Sequence, residues 1–159
     1  TGHSHMKKRM KEVEAPLAGE MSGHIFIADN YLGFDDAIYA AVRVITQMVK
    51  GGQSITEFMD SLPEQHATPE LRIDCPDTVK FDSMERIRAH VLFGHDAADV
   101  NSIDGVRVRS GGGWWLIRAS NTEAALVARA EAADRTALDR LLGDIETTLA
   151  AAGLDWKRP

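Results

Sequence analysis

A concentration of hydrogen-bond donors lies at residues 118–122, between two apolar runs of the chain. The segment consists of Arg118, Ala119, Ser120, Asn121 and Thr122. A guanidinium pairs two phosphate oxygens at once, and hydroxyls and turn N–H groups can complete a nest for an anion. If the segment connects two strands, its donors converge, and the chemistry they suit is phosphate binding. Asn, Ser and Thr are also ordinary turn formers, so a plain polar turn is the alternative on spacing alone.

A second polar cluster lies at residues 19–24, just before a short apolar run. It consists of Gly19, Glu20, Met21, Ser22, Gly23 and His24. Glycine permits close backbone approach, and a carboxylate with a hydroxyl can recognise the donor and acceptor sides of neighbouring sugar hydroxyls. Taken by itself, the cluster favours the alternative of a polar loop with a capping serine.

Apolar periodicity predicts the elements that position the second cluster. Residues 14–29 are predicted to form a strand, a loop that carries the cluster, and another strand. A helix is predicted to follow from Asp35 or Asp36, because acidic residues favour the positive end of the helix dipole. Its predicted buried face consists of Ile38, Val42, Ile45 and Val49. Gly51 and Gly52 are predicted to end it.

From residue 53 onward the pattern changes to strands followed by helices. A capping box at Ser54 and Glu57 predicts a short helix, which Pro63 limits. Strands are predicted at residues 67–75, 106–109, 114–117 and 126–131. Two main helices are predicted, one starting at residues 81–83 and ending at Gly94, the other over residues 135–151. Their predicted apolar faces are Met84, Ile87, Val91 and Leu92 in the first, and Leu138, Leu141, Leu142, Ile145 and Leu149 in the second.

Together these segments resemble those of the α-D-phosphohexomutases. Residues 19–24 resemble the sugar-specificity loop of that family, and residues 118–122 resemble its phosphate-binding loop. The opening residues, Thr1, Gly2, His3 and Ser4, resemble a third active-site segment, and a basic helix-like stretch follows them. Met21 makes the loop more similar to that of the phosphomannomutase/phosphoglucomutase branch of the family, since phosphoglucosamine mutases tend to have Gln at this position. An expression-tag remnant is the alternative origin of residues 2–6.

The strand and helix order predicts an α+β fold, an antiparallel sheet with helices on one face. The resemblance implies that residues 53–159 form mutase domain 4, which is related to the TATA-binding-protein fold. It implies that residues 1–52 form the C-terminal part of mutase domain 3, an α/β domain. Neither a Ser-His-Asn-Pro type loop nor an Asp-Gly-Asp-Gly-Asp loop occurs in the sequence, so the chain is expected to be the C-terminal piece of a longer enzyme.

The resemblance also implies an activity for the longer enzyme. It would interconvert hexose 1-phosphate and hexose 6-phosphate, of mannose or glucose, through a phosphoserine and a hexose 1,6-bisphosphate. Mg²⁺ would be bound outside this chain, no metal ligand is expected within it, and the piece alone is expected to be inactive. The expected partners are a phosphosugar substrate and the missing N-terminal domains of the same protein.

Residue roles follow from the same resemblance. Glu20 and Ser22 would contact hexose hydroxyls, with Gly19, Met21 and Gly23 shaping their loop. Arg118 would pair with the non-transferring phosphate, while Ser120, Asn121 and Thr122 add hydrogen bonds next to Ala119. His3 and His24 are the candidates for proton handling, since imidazole titrates near neutral pH. Many family members have a proline shortly after the threonine of the phosphate loop, whereas this chain has Glu123 and Ala124.

Composition limits the other classes of partner. The net charge of −6 argues against general nucleic-acid binding, which needs broad positive potential. No apolar run is long enough to span a bilayer, and the single cysteine, Cys75, suits the reducing cytoplasm. The alternatives to the mannose/glucose mutase are a phosphoglucosamine mutase, a sugar-phosphate binding module without a catalytic parent, and a protein-interaction domain.

Overall fold

The computed structural model describes residues 2–158, and the chain divides into two compact units, Thr1–Pro63 and Glu64–Pro159. The sequence predicted a division after Gly52, whereas the structure divides the chain after Pro63. The short helix at Ile55–Asp60 therefore belongs to the first unit. Each unit has its own antiparallel sheet, with two strands in the first unit and six in the second, five of them side by side and a sixth paired with one of these five from the side.

The first unit contains a two-stranded hairpin and three helices, the first two of which contact the hairpin. Its elements are α1 (His3–Glu12), β1 (Leu17–Gly19), β2 (Ile25–Ile27), α2 (Ala37–Gly51) and α3 (Ile55–Asp60). The hairpin pairs Leu17 with Ile27 and Gly19 with Ile25. The predicted strand, loop and strand around residues 19–24 are therefore present, and the polar cluster forms the connection.

Side-chain caps fix where α2 and α3 begin. The Asp36 carboxylate accepts from Tyr39 N at 2.9 Å and from Tyr31 OH at 2.7 Å. The hydrogen bond from the Tyr39 backbone has the largest effect in lowering the pKa of Asp36, and the one from Tyr31 OH lowers it further. Ser54 and Glu57 form the predicted capping box, and the hydrogen bonds from Ser54 lower the pKa of Glu57.

The predicted buried face of α2 is wrong. Ile38, Val42, Ile45 and Val49 are 81%, 54%, 61% and 77% exposed, and Ala40 is the buried residue of the helix. The periodicity correctly predicted an amphipathic helix, but among the described residues of this unit no element covers the apolar stripe. Periodicity reports which residues share a face and cannot report what packs against it.

The second unit is an antiparallel sheet with two long helices. Its elements are β3 (His66–Ala67), β4 (Leu71–Asp74), α4 (Asp77–Gly94), a short 3₁₀ turn (Ala97–Asp99), β5 (Val100–Asn101), β6 (Val106–Ser110), β7 (Gly113–Ala119), β8 (Ala125–Ala132) and α5 (Arg135–Ala151). Strands β8, β7, β6 and β5 lie side by side in that order, and both β3 and β4 pair with the outer edge of β8.

One face of this sheet carries the core. Alternate residues of the central strands are fully buried and pack with α4 and α5, among them Val106, Val108, Trp115, Ile117, Leu126, Ala128 and Ala130. The two helices contact each other and the same central strands, so they cover the same face. The predicted α+β arrangement is confirmed, and the opposite face carries half-exposed residues such as Arg107, Leu116 and Arg129.

The single strand predicted over residues 67–75 is two strands. Ala67 pairs with Glu131 and Leu71 with Ala128, so residues 68–70 lie opposite only residues 129 and 130. This extra residue is a β-bulge, a position that tolerates Pro69 because proline has no N–H to donate. Thr68 closes the gap, since its Oγ1 accepts from Ala130 N at 3.1 Å.

The first main helix begins earlier than predicted, at Asp77 rather than at residues 81–83. Pro76 occupies the N-cap position with φ −55°, a value that its ring fixes in advance. The earlier start places Lys80 in the first turn, where it is buried. The second main helix, α5, has the predicted bounds, and the Asp134 carboxylate caps it by accepting from Ala137 N at 2.7 Å.

Within residues 2–158, none of the helices combines the length and the apolar character required to cross a bilayer.

Candidate functional site

The turn between β1 and β2 is closed by its own backbone. Gly23 N donates to Glu20 O at 2.9 Å, and Glu20 N donates to His24 O at 2.9 Å. Gly23 has φ 89°, a conformation that glycine adopts without steric cost. The turn leaves Met21 and Ser22 exposed, so both are free to meet a ligand.

The start of α1 lies against this turn. Gly2 N donates to Glu20 Oε1 at 3.2 Å, and the rings of His3 and His24 meet edge to face with centroids 4.8 Å apart. The structure thus brings together the two histidines and Glu20, which the sequence assigned to one site. Thr1, the first residue of the predicted opening segment, lies outside the described residues.

Asp35 also belongs to this cluster, although the sequence assigned it to the start of α2. Its Oδ2 lies 2.7 Å from His24 Nδ1 and 3.6 Å from His3 Nε2, and its Oδ1 accepts from Ile25 N at 3.2 Å. An ionised carboxylate only accepts, so neutral His24 carries its proton on Nδ1 and presents an unprotonated Nε2. One sequence signal could have indicated a separate role for Asp35: two aspartates stand at the start of α2, and one, Asp36, is enough to cap the helix.

His3, His24 and Asp35 are all residue types that can coordinate a metal ion. One ring nitrogen of His3, one of His24 and an Asp35 oxygen lie within 4.8 Å of one another. Mg²⁺ prefers oxygen ligands in octahedral geometry, and two of these three donors are imidazole nitrogens. The magnesium that the family resemblance implies therefore does not fit this cluster.

The connection between β7 and β8 in the second unit is also held from within. Ser120 N donates to Ala125 O at 2.9 Å, and Ser120 Oγ accepts from Thr122 N at 3.3 Å and from Glu123 N at 3.1 Å. Ser120 is buried, so its oxygen shapes the loop, and its hydroxyl proton remains able to donate. Asn121 and Thr122 are exposed at the tip of the loop.

Arg118 and Ala119 are the last residues of β7 and lead into this loop. The Arg118 guanidinium is half-exposed and makes one long hydrogen bond, from Nη1 to Ala119 O at 3.5 Å. Among the described residues no salt bridge engages it, so most of its donors remain available to an anion. The five residues predicted to bind phosphate thus lie on one strand end and one loop.

Lys80, in the first turn of α4, also holds this loop, and the sequence did not predict this contact. Its ammonium donates to Ser120 O and to Glu123 O, each at 2.9 Å, and forms an ion pair with Asp77. The two carbonyls lie at opposite ends of the loop tip, so one buried cation fastens both. Lysine in a helix usually has a solvated head group, and only the packed structure shows the exception.

Replacing Lys80 with methionine should loosen the loop. The change keeps most of the length of the side chain but leaves two carbonyl oxygens without their donor, which costs about 1–3 kcal/mol when such groups are buried. We expect a lower midpoint of urea unfolding and faster amide hydrogen exchange at Thr122 and Glu123. Lys157→Met, an exposed lysine of the same unit, should change neither. Equal behaviour of the two variants would contradict the anchoring role.

Glu123 supplies a further anchor. Its Oε2 accepts from Arg72 Nη1 at 2.6 Å, and this hydrogen bond is the main cause that raises the pKa of Arg72. The pair joins the loop to β4, but both side chains are exposed, so its contribution to stability is modest. The loop that lacks the family's proline therefore carries an ion pair at the same end.

Comparisons with known proteins agree with the two-unit division. Residues 1–66 match the family model described as phosphoglucomutase/phosphomannomutase, alpha/beta/alpha domain III, and residues 70–148 match the one described as phosphoglucomutase/phosphomannomutase, C-terminal domain. The phosphomannomutase/phosphoglucomutase of Pseudomonas putida is 43% identical over 149 residues, which are 94% of this chain and 32% of that protein. That of Pseudomonas syringae is 40% identical over 159 residues, 100% of this chain and 34% of that protein.

A solved structure is similar over nearly the whole chain. The crystal structure of a phosphoglucomutase/phosphomannomutase family protein from Burkholderia thailandensis has a TM-score of 0.81 at 36% identity, covering 98% of this chain and 32% of that one. The chain thus spans about a third of the length of the curated relatives that it matches.

Proposed function

Because the chain belongs to the phosphoglucomutase/phosphomannomutase family, we propose that it is the sugar- and phosphate-recognition part of a phosphohexomutase. The whole enzyme interconverts hexose 1-phosphate and hexose 6-phosphate, of mannose or glucose. A phosphoserine outside this chain donates a phosphoryl group, and hexose 1,6-bisphosphate is the intermediate. The observation that carries the proposal is that each matched domain holds one polar loop, residues 19–24 in the first and 118–122 in the second.

The first loop contacts the hexose ring in this proposal. Glu20 and Ser22 hydrogen-bond the hydroxyls, while Met21 and Gly23 shape the turn around them. The support is the closed turn, because its backbone hydrogen bonds fix where these side chains point before the sugar arrives. Gly2 holds one oxygen of Glu20, which orients the carboxylate further.

His24 is the proposed proton-transfer residue, with His3 beside it. Asp35 accepts from Nδ1 of His24 and so directs the unprotonated Nε2 outward, where it can take a proton from a sugar hydroxyl. The carboxylate also stabilises the imidazolium that this transfer forms. Asp35 is therefore a positioning residue that acts through His24.

The second loop binds the phosphate that is not being transferred. Arg118 pairs with two of its oxygens, and Ser120, Asn121 and Thr122 supply hydrogen bonds, with Ala119 contributing only backbone groups. Lys80 supports this assignment, because its hydrogen bonds to two carbonyls of the loop hold the loop in one conformation before the phosphate binds.

The remaining parts of the reaction belong to residues outside this chain. Mg²⁺, when bound by the whole enzyme, neutralises charge that develops on the transferred phosphoryl group. We propose a cytoplasmic enzyme, since the single cysteine, Cys75, is free and buried. A phosphoglucosamine mutase is not favoured, because the relatives at 40% identity and above carry the phosphomannomutase/phosphoglucomutase name.

The test is made on the complete reading frame that contains this chain. The full-length protein should convert glucose 1-phosphate and mannose 1-phosphate to the 6-phosphates, and glucosamine 1-phosphate far more slowly. The isolated chain serves as the control and should be inactive. A full-length protein with no serine that accepts a phosphoryl group, or with a preference for glucosamine 1-phosphate, would overturn the proposal.

A further inference from the structure

The cluster of His3, His24 and Asp35 has a donor set that the proposed chemistry does not use as a whole. Proton handling at His24 needs one imidazole and one carboxylate, yet a second imidazole lies at 3.6 Å from the same carboxylate oxygen. We propose that these three side chains form a binding site for a divalent transition-metal ion of the Zn²⁺ class.

The distances are close to those of a coordinated ion. Three ligands at the usual bond lengths around a tetrahedral Zn²⁺ lie about 3.3 Å from one another. Asp35 Oδ2 lies 2.7 Å from His24 Nδ1 and 3.6 Å from His3 Nε2, values on either side of that spacing. The third separation, between one ring nitrogen of His3 and one of His24, is at most 4.8 Å, and any excess over about 3.3 Å has to be closed on binding. His3 can provide this movement, since its side chain is 53% exposed at the first turn of α1.

The three ligands are held by separate parts of the first unit. Ile25 N donates to Asp35 Oδ1, which turns Oδ2 toward the two rings. His24 follows the closed turn, and the His3 ring packs edge to face on the fully buried Phe26 with centroids 5.3 Å apart. Backbone and packing contacts of this kind orient metal ligands and raise affinity.

The donor types select the ion. Two imidazoles and one carboxylate suit Zn²⁺, Co²⁺ and related ions, whereas Mg²⁺ and Ca²⁺ prefer oxygen donors. The open side of the cluster leaves a coordination position for water. For binding, the proton on His24 Nδ1 moves to Nε2, so the imidazole stays neutral and its Nδ1 lone pair faces the ion.

Binding has a consequence that depends on the function proposed above. An ion on Nδ1 leaves the proton on Nε2 of His24, so this nitrogen can no longer accept one from a sugar hydroxyl. Zn²⁺ at this site should therefore inhibit the whole enzyme, and a zinc-selective chelator should restore its activity while Mg²⁺ is kept in excess.

The test of the site itself needs no enzymatic activity. Co²⁺ is added to the 159-residue chain near neutral pH, and its visible absorption is followed until Zn²⁺ displaces it. The variants His24→Ala, Asp35→Asn and His3→Ala should each weaken binding by at least about tenfold, the effect that disturbing even the outer partners of metal ligands can have. The matched control is His5→Ala, an exposed histidine of the same helix, which should bind as the parent does.

A second measurement covers the case in which Asp35→Asn disturbs the fold. In the unaltered chain, Co²⁺ should broaden amide NMR signals around residues 3, 24 and 35 and spare those of the second unit. Absence of Co²⁺ binding, binding unchanged in His24→Ala, or broadening located elsewhere would overturn the proposal. So would sensitivity to His3→Ala alone, which would locate the ion on the opening segment. None of these outcomes bears on whether the full-length protein is a mutase.

Discussion

Gly105→Ala should destabilise the second unit by about 2–4 kcal/mol, because overpacking and a left-handed backbone act together. Gly105 has φ 75°, and a Cβ there would meet Ile117 O and, at 2.7 Å, Arg118 Cα. These are backbone atoms that cannot rotate away. Relief therefore requires movement of the end of β7, the segment that carries Arg118.

The chain offers a matched control for this variant. Gly112 has φ 85°, and nothing lies within 4 Å of a Cβ built there, so Gly112→Ala adds only the left-handed strain of about 1 kcal/mol. Urea unfolding followed by tryptophan fluorescence compares the two, since Trp114, Trp115 and Trp156 all lie in the second unit. Equal losses at the two glycines would show that close approach to β7 is not what requires Gly105.

Arg118→Ala in the full-length enzyme should raise the KM for the hexose phosphate by about tenfold to a hundredfold, the range expected for hydrogen bonds to a charged group. The turnover number should fall less, because in the proposed reaction this phosphate is not the reacting one and its contacts exist before and during the reaction. Arg118→Lys keeps the charge but loses the planar fork, so its KM should lie between those of the parent and the alanine variant.

Arg109→Ala is the control for charge alone. Arg109 lies opposite Trp114 at the other end of the β6–β7 pairing and forms an exposed ion pair with Asp99. The substitution Arg109→Ala removes the same charge from the same unit and should leave the kinetics unchanged. Unchanged KM in Arg118→Ala, or equal shifts in the two variants, would contradict the assignment of the phosphate site.

The sequence was sufficient for elements whose signals are local. The bounds of α5 follow from Asp134 at its start and from an apolar stripe that the core then buries. The turn at residues 19–24 was predictable because glycines and polar side chains interrupt two apolar runs. Both loops of the candidate site could be found in this way, since their polar and charged side chains already indicate what kind of ligand they could bind.

Features that depend on partners distant in sequence could not be predicted. The bulge around Pro69 exists only because β8 offers one residue fewer than the facing strands. Lys80 is buried because the loop carbonyls, forty residues further along the chain, converge on it. Asp35 had a sufficient local explanation as part of a helix start, and its contact with His24 becomes visible only in the folded unit.

The apolar stripe of α2 has a consequence for how the chain behaves in solution. Its net charge of −6 alone would keep copies apart, yet four branched aliphatic side chains lie in a row on the outside of one helix. A row of this kind is attracted to any other apolar surface, and salts such as sulfate strengthen that attraction. We therefore expect self-association of this chain to depend on one helix of the first unit as well as on its net charge.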